Sequence, residues 1–121
     1  KLGALLHVML PERVNANDPN VFKYADTGIR ETLRKMTAFG MVKSRTTVRI
    51  AGGAKMFEIS GNAGFGNIGQ RNIESVKQIL REEGMKITGE DTGANYARTM
   101  SLDTGNGEVL IRTYGRDIVR I

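Results

Sequence analysis

Asn67-Ile-Gly-Gln-Arg-Asn-Ile-Glu-Ser-Val-Lys-Gln-Ile-Leu-Arg-Glu-Glu-Gly-Met-Lys-Ile-Thr-Gly89 carries a helix pattern followed at once by a strand pattern. Ile73, Val76, Ile79 and Leu80 recur at three- and four-residue spacing, which puts them on one helix face. Asn67 and Gln70 have the spacing of an N-cap and its reciprocal partner, and Gly84 provides a stop. Residues 85–89 then read as a short strand that delivers Glu90-Asp91-Thr92-Gly93 at its tip.

Moving outward, residues 46–51 alternate Thr47, Arg49 and Ala51 against Thr46, Val48 and Ile50, the period of a strand, and run into Gly52-Gly53. Before them, Ala25, Ile29, Leu33, Met36 and Gly40 mark an earlier helix face closed by the glycine. Residues 11–21 are a loop rich in Asn, Asp and Pro. Residues 2–10 place Leu2, Ala4, Leu6, Val8 and Leu10 on one strand face and Leu5, His7 and Met9 on the other. Both faces are largely apolar, which predicts a strand covered on two sides, with His7 between layers. Downstream, residues 98–102 and 108–113 read as strands around the hairpin signal Thr104-Gly-Asn-Gly107. Strand, helix, strand, helix and a strand-rich tail predict a single α/β domain, a layered fold with a mixed β-sheet and two main helices, spanning 1–121.

Composition narrows the chemistry. The chain has 121 residues, 40% hydrophobic and 26% charged, in the range of ordinary folded domains rather than disordered chains. It has no cysteine and one histidine, which excludes a disulfide framework and leaves too few soft ligands for zinc or copper; no cofactor or metal is expected. The apolar run at 2–10 is about half the length that spans a bilayer, so no membrane insertion is expected. A net charge of +5 raises the question of nucleic acid. The basic residues are scattered, acids at Glu82, Glu83, Glu90 and Asp91 interleave, and aromatic residues for base stacking are few, so no nucleic-acid partner is expected.

Gly64-Phe-Gly-Asn-Ile-Gly69 has the spacing of a dinucleotide-binding loop. That chemistry needs a buried strand ending at the first glycine, so that helix N–H groups face a pyrophosphate; here Ser60-Gly-Asn-Ala63 intervenes. Ser44, Ser60, Ser75 and Ser101 lie in no nucleophile elbow. Glu90, Asp91 and Asp103 have no diagnostic spacing. Gly52 and Gly53 suit either a close approach of backbone to a ligand or tight packing, and are the candidate site-shaping loop. His7 is the side chain whose ordinary pKa suits proton transfer at neutral pH. A histidine alone on an apolar strand also fits a hydrogen-bonded core residue.

The strings His7-Val-Met-Leu-Pro11, Lys23-Tyr-Ala-Asp26, Ile50-Ala-Gly-Gly-Ala54 with Met56-Phe57, Ile68-Gly-Gln-Arg-Asn72, Glu90-Asp-Thr-Gly93 and Ala97-Arg98, in this order, resemble the chemoreceptor glutamine deamidase family of bacterial chemotaxis, CheD. The resemblance implies a cytoplasmic enzyme that hydrolyses particular glutamine side chains on methyl-accepting chemoreceptor helices to glutamate and ammonia, and a fold similar to the catalytic domain of cytotoxic necrotizing toxins. It implies that His7 is catalytic, working with a cysteine nucleophile from a Gly-Ser-Cys string upstream of the histidine. It also implies a CheC-type phosphatase as a partner. That cysteine is not among these residues, so the 121-residue chain alone is expected to be inactive. Lys1 is not an initiator methionine, and a covered strand without a lead-in leads us to expect further natural sequence before it. Ala94 and Ala97 stand where the family usually has glycine, which bears on loop geometry. The rival reading is a non-enzymatic module of the same fold that regulates a phosphatase or receptor; the residues encoded before Lys1 discriminate between the two.

Overall fold

In a computed structural model, which describes residues 1–55 and 67–121, the helix expected from the isoleucine and leucine spacing forms as Ile68–Glu82 (α2), and the earlier one as Ala25–Ala38 (α1). Both end in the same way. After α1, Gly40 takes φ +101°, Met41 N–H donates to the Met36 carbonyl at 2.9 Å and Gly40 N–H to that of Thr37 at 3.0 Å. After α2, Gly84 takes φ +71°, Met85 N–H donates to Leu80 and Gly84 N–H to Arg81. These are Schellman stops, which satisfy carbonyls that a helix end leaves free. The start of α2 departs from expectation: Asn67 makes no side-chain capping bond, and the Gln70 amide donates forward to Glu74 at 3.2 Å.

Val48–Gly52 (β1) and Ile87–Thr92 (β2) pair in parallel, with α2 between them in sequence. A parallel pair needs such a crossover. Glu90, Asp91 and Thr92 therefore lie within β2 rather than beyond its tip. Thr99–Leu102 (β3), Val109–Arg112 (β4) and Val119–Arg120 (β5) form an antiparallel sheet in that order. The Thr104–Gly107 signal makes the expected hairpin: Asp103 N–H donates to the Glu108 carbonyl, and the Asp103 carboxylate accepts from Gly105 N–H at 2.8 Å. Parallel and antiparallel pairing thus occur in one small α/β domain, divided between two sheets.

The main core lies between the helices and the parallel pair. Ala25, Ile29 and Leu33 of α1 meet Ile79 and Leu80 of α2 and Met85, with Val48, Ile50 and Ile87 packed against them. Removing each large apolar side chain from water contributes about 1.5–3 kcal/mol, and the spacing read from sequence selects these residues. Under the second sheet, Ile111 is 1% exposed and Val109 6%.

The expected strand at 2–10 does not form. Leu10 makes a single parallel bridge to Tyr24, Leu2, Leu5, His7 and Met9 are exposed, and a cleft of about 900 Å3 opens beside the segment, between α1, β1 and the second sheet. Alternation gives a segment the propensity for a strand, but a strand needs a neighbour for its N–H and C=O groups, and no ladder among the described residues supplies one to residues 2–8. The expected apolar piece Met56-Phe57-Glu58-Ile59, Ser60 and the first three residues of the Gly64–Gly69 string lie outside the described residues.

Candidate active site around His7

His7 belongs to a segment that is open at its start and held at its end. Met9 N–H and Leu10 N–H donate to the Lys23 carbonyl at 2.8 and 3.1 Å, and Ala25 N–H donates to the Leu10 carbonyl at 2.9 Å. From the other edge, the Asn72 amide donates to the Met9 carbonyl at 3.1 Å and the Ser75 hydroxyl to the Pro11 carbonyl at 2.6 Å. The segment's end is thus fixed between the entry to α1 and the face of α2. The imidazole two residues upstream is exposed, which corrects the expectation that it lies between layers. With Leu5, Phe22, Lys35 and Phe39 it lines an open groove of about 500 Å3.

The loop before α1 is built around Arg13 and Asp18. The Arg13 guanidinium donates to the carbonyls of Asn15, Ala16 and Asp18, and its backbone N–H to the Asp26 carboxylate. Tyr24 Oη donates to Asp18 Oδ2 at 2.5 Å, a bond that holds the Asp18 carboxyl below the usual aspartate range and pushes the Tyr24 phenol up. The Tyr24 ring is 3% exposed, so the bond also anchors the turn that carries Lys23.

Gly52 and Gly53 take φ +107° and +70°. A side chain on Gly53 would overlap Ile73 and approach the Gly69 carbonyl at 2.9 Å, and Gly93 N–H donates to the Gly52 carbonyl at 2.9 Å. The glycine pair is therefore where the first turn of α2 and the Asp-Thr-Gly loop close on the exit of β1. It does not meet His7 directly; α2 spans the two, resting on Gly53 by its first turn and reaching Met9 and Pro11 through Asn72 and Ser75. Periodicity gave no sign of those two contacts: Asn72 shares a face with Val76 and Ile79, and spacing does not say which distant carbonyl a polar group there will meet.

The acids weighed as a carboxylate or metal site are committed elsewhere. Glu90 pairs with Lys77 at 3.0 Å, and Asp103 closes the hairpin. Asp91 pairs with Arg98 at 3.2 Å; that arginine side chain is 3% exposed and also donates to the Gly93 carbonyl. The guanidinium carbons of Arg98 and Arg116 lie over the Tyr96 ring, 4.4 and 4.1 Å from its centre. Among the described residues no cluster of His, Asp or Glu could hold a metal ion, and no helix is long and apolar enough to cross a membrane.

The class of this small α/β domain is a signalling one by its family match: residues 9–113 match the family described as CheD chemotactic sensory transduction. The chain belongs to the CheD family. It is 43% identical over 116 residues, 95% of the chain, to a probable chemoreceptor glutamine deamidase CheD of Syntrophomonas wolfei, covering 72% of that protein. It is 45% identical over 119 residues to the protein of that name from Clostridium novyi (98% of the chain, 74% of the relative), and 41% over 112 residues to that from Methanococcus maripaludis strain C6 (93% and 71%).

Proposed function

We propose that the chain is the histidine-bearing part of a cytoplasmic chemoreceptor glutamine deamidase. The observation that carries the reading is the His7-Val-Met-Leu-Pro11 string of a CheD-family chain, with its backbone clipped at Met9 to Pro11 and its imidazole open to a groove. The nucleophile is a cysteine outside these 121 residues. His7 takes the thiol proton, the thiolate attacks the glutamine carboxamide carbon, and the imidazolium returns the proton to departing ammonia. Water, deprotonated by the neutral imidazole, cleaves the thioester to glutamate and frees the thiol. One water is consumed and one ammonia released, and no cofactor is needed.

The substrate is a glutamine on a cytoplasmic helix of a methyl-accepting chemoreceptor, and a CheC-type phosphatase is the partner that restrains the enzyme. A net charge of +5 favours approach to an acidic helix. In the full-length protein, His7→Ala is expected to lower deamidation of a receptor fragment, read as amide-to-acid conversion by mass spectrometry, by about 100-fold or more at unchanged thermal stability. The isolated 121-residue chain is expected to convert none. Full activity in the stable His7→Ala protein would overturn the reading in favour of a non-enzymatic binding module.

A further inference from the structure

We propose that Asn72, backed by Ser75, is a positioning residue that sets the orientation of the His7 imidazole by holding the carbonyls of Met9 and Pro11. The role in catalysis rests on the deamidase reading above; the clamp itself does not.

Asn72 and Ser75 are three residues apart on α2 and so share a face. Met9 and Pro11 are two apart on an extended segment, so their carbonyls point the same way. The bonds of 3.1 and 2.6 Å match these two repeats, helix to extended chain. The opposite edge of the segment is held by Lys23 and Ala25, which leaves residues 9–11 gripped on both sides. Residues 2–8 have no backbone ladder among the described residues; Leu6 and Val8 pack against the main core on either side of His7, and the Met9 carbonyl is the nearest backbone group that a side chain holds. The direction of the imidazole therefore depends on that packing and on the peptide group that Asn72 holds.

Asn72 keeps its amide at a cost. Its Oδ1 is buried without a hydrogen-bond partner among the described residues, an arrangement proteins rarely retain. Turning the amide over would bring that oxygen against the Met9 carbonyl, so the N–H group that reaches Met9 fixes its sense. Asn72 stands on the same face of α2 as Val76 and Ile79, four and seven residues on, which pack into the main core, so the thermal midpoint of each variant is read beside its activity.

The test uses the full-length protein with Asn72→Asp, which keeps the shape but removes the donor, together with Asn72→Ala, Ser75→Ala and Ser75→Thr. Each is measured for kcat and KM on a receptor fragment, for thermal midpoint, and for the His7 imidazole resonances in long-range proton–nitrogen spectra, assigned by their loss in His7→Gln. Asn72→Asp and Asn72→Ala are expected to lower kcat by about 10- to 100-fold with KM within about twofold, since small misplacements of a reacting group cost that much. The imidazole resonances should move, and Ser75→Thr should restore what Ser75→Ala loses. Wild-type kcat with unmoved resonances in a folded Asn72→Asp protein overturns the proposal, as does a loss of kcat that only tracks lost thermal stability. Should His7→Gln prove fully active, the deamidase mechanism falls, while the imidazole resonances in Asn72→Asp still decide the clamp.

Discussion

Asp18 and Tyr24 show how one residue pair can make the approach to α1 depend on pH. The bond from Tyr24 Oη lowers the Asp18 pKa, so its contribution to stability is complete above the ordinary aspartate range and is lost as pH falls through the lowered folded value. The Tyr24 pKa is raised by the same bond, so its contribution is complete below the ordinary tyrosine range and is lost as pH rises through the raised folded value. Tyr24→Phe removes the hydroxyl and keeps the buried ring. The gap in thermal midpoint between wild type and Tyr24→Phe is expected to be widest near neutrality and to close as pH falls through the lowered Asp18 value. A gap that stays constant across acid titration would show that the bond contributes nothing. At this scale the sequence predicted an Asn- and Asp-rich loop, and the loop is made of such local bonds. Which tyrosine would meet Asp18 could not be read, because that depends on how the 3-10 turn Val21–Lys23 folds back.

Gly69 couples one element to another. It lies in the first turn of α2, where alanine would gain about 1 kcal/mol of helix propensity. A Cβ there would fall 2.5 Å from the Gly53 carbonyl and 2.7 Å from that of Ala54, both of them backbone atoms. Overpacking of this kind costs about 1–3 kcal/mol, and a backbone oxygen has less freedom to yield than a side-chain tip. Gly69→Ala is therefore expected to be destabilising by about 1 kcal/mol or more in urea unfolding, against the propensity scale. A gain in stability would show that the contact between α2 and β1 yields. The glycine stops of α1 and α2 and the β3–β4 hairpin were legible, because each follows from residues close in sequence, whereas the parallel pairing of β1 with β2 was not, because a whole helix separates the two strands. The N-cap bond expected of Asn67 was not made, and that outcome turns on where the preceding backbone is led.

Across the molecule, Arg98 ties the two sheets together. It stands just before β3, is 3% exposed, and bonds Asp91 of β2 and the Gly93 carbonyl, while Gly89 of β2 rests against Ile121 beyond β5. Removing one partner of a buried pair costs about 3–5 kcal/mol; Asp91 is 25% exposed and regains some hydration, so Arg98→Met is expected to cost about 2–3 kcal/mol. Arg30→Met, which loses the exposed pair with Glu82 at the α1–α2 surface, is expected to cost less than about 1 kcal/mol. Equal losses in the two variants, measured by chemical unfolding, would contradict the Arg98 tie. The α/β class, both helices, most strands, the candidate histidine and the family were determined by the sequence alone, since periodicity, glycine stops and ordered strings are local properties of the chain. The tertiary structure alone decided that residues 2–9 form no strand, that His7 opens to a groove, and that Asn72 and Ser75 hold the segment behind it. Strand formation and side-chain exposure depend on which distant groups meet the backbone, and no spacing along the chain records that.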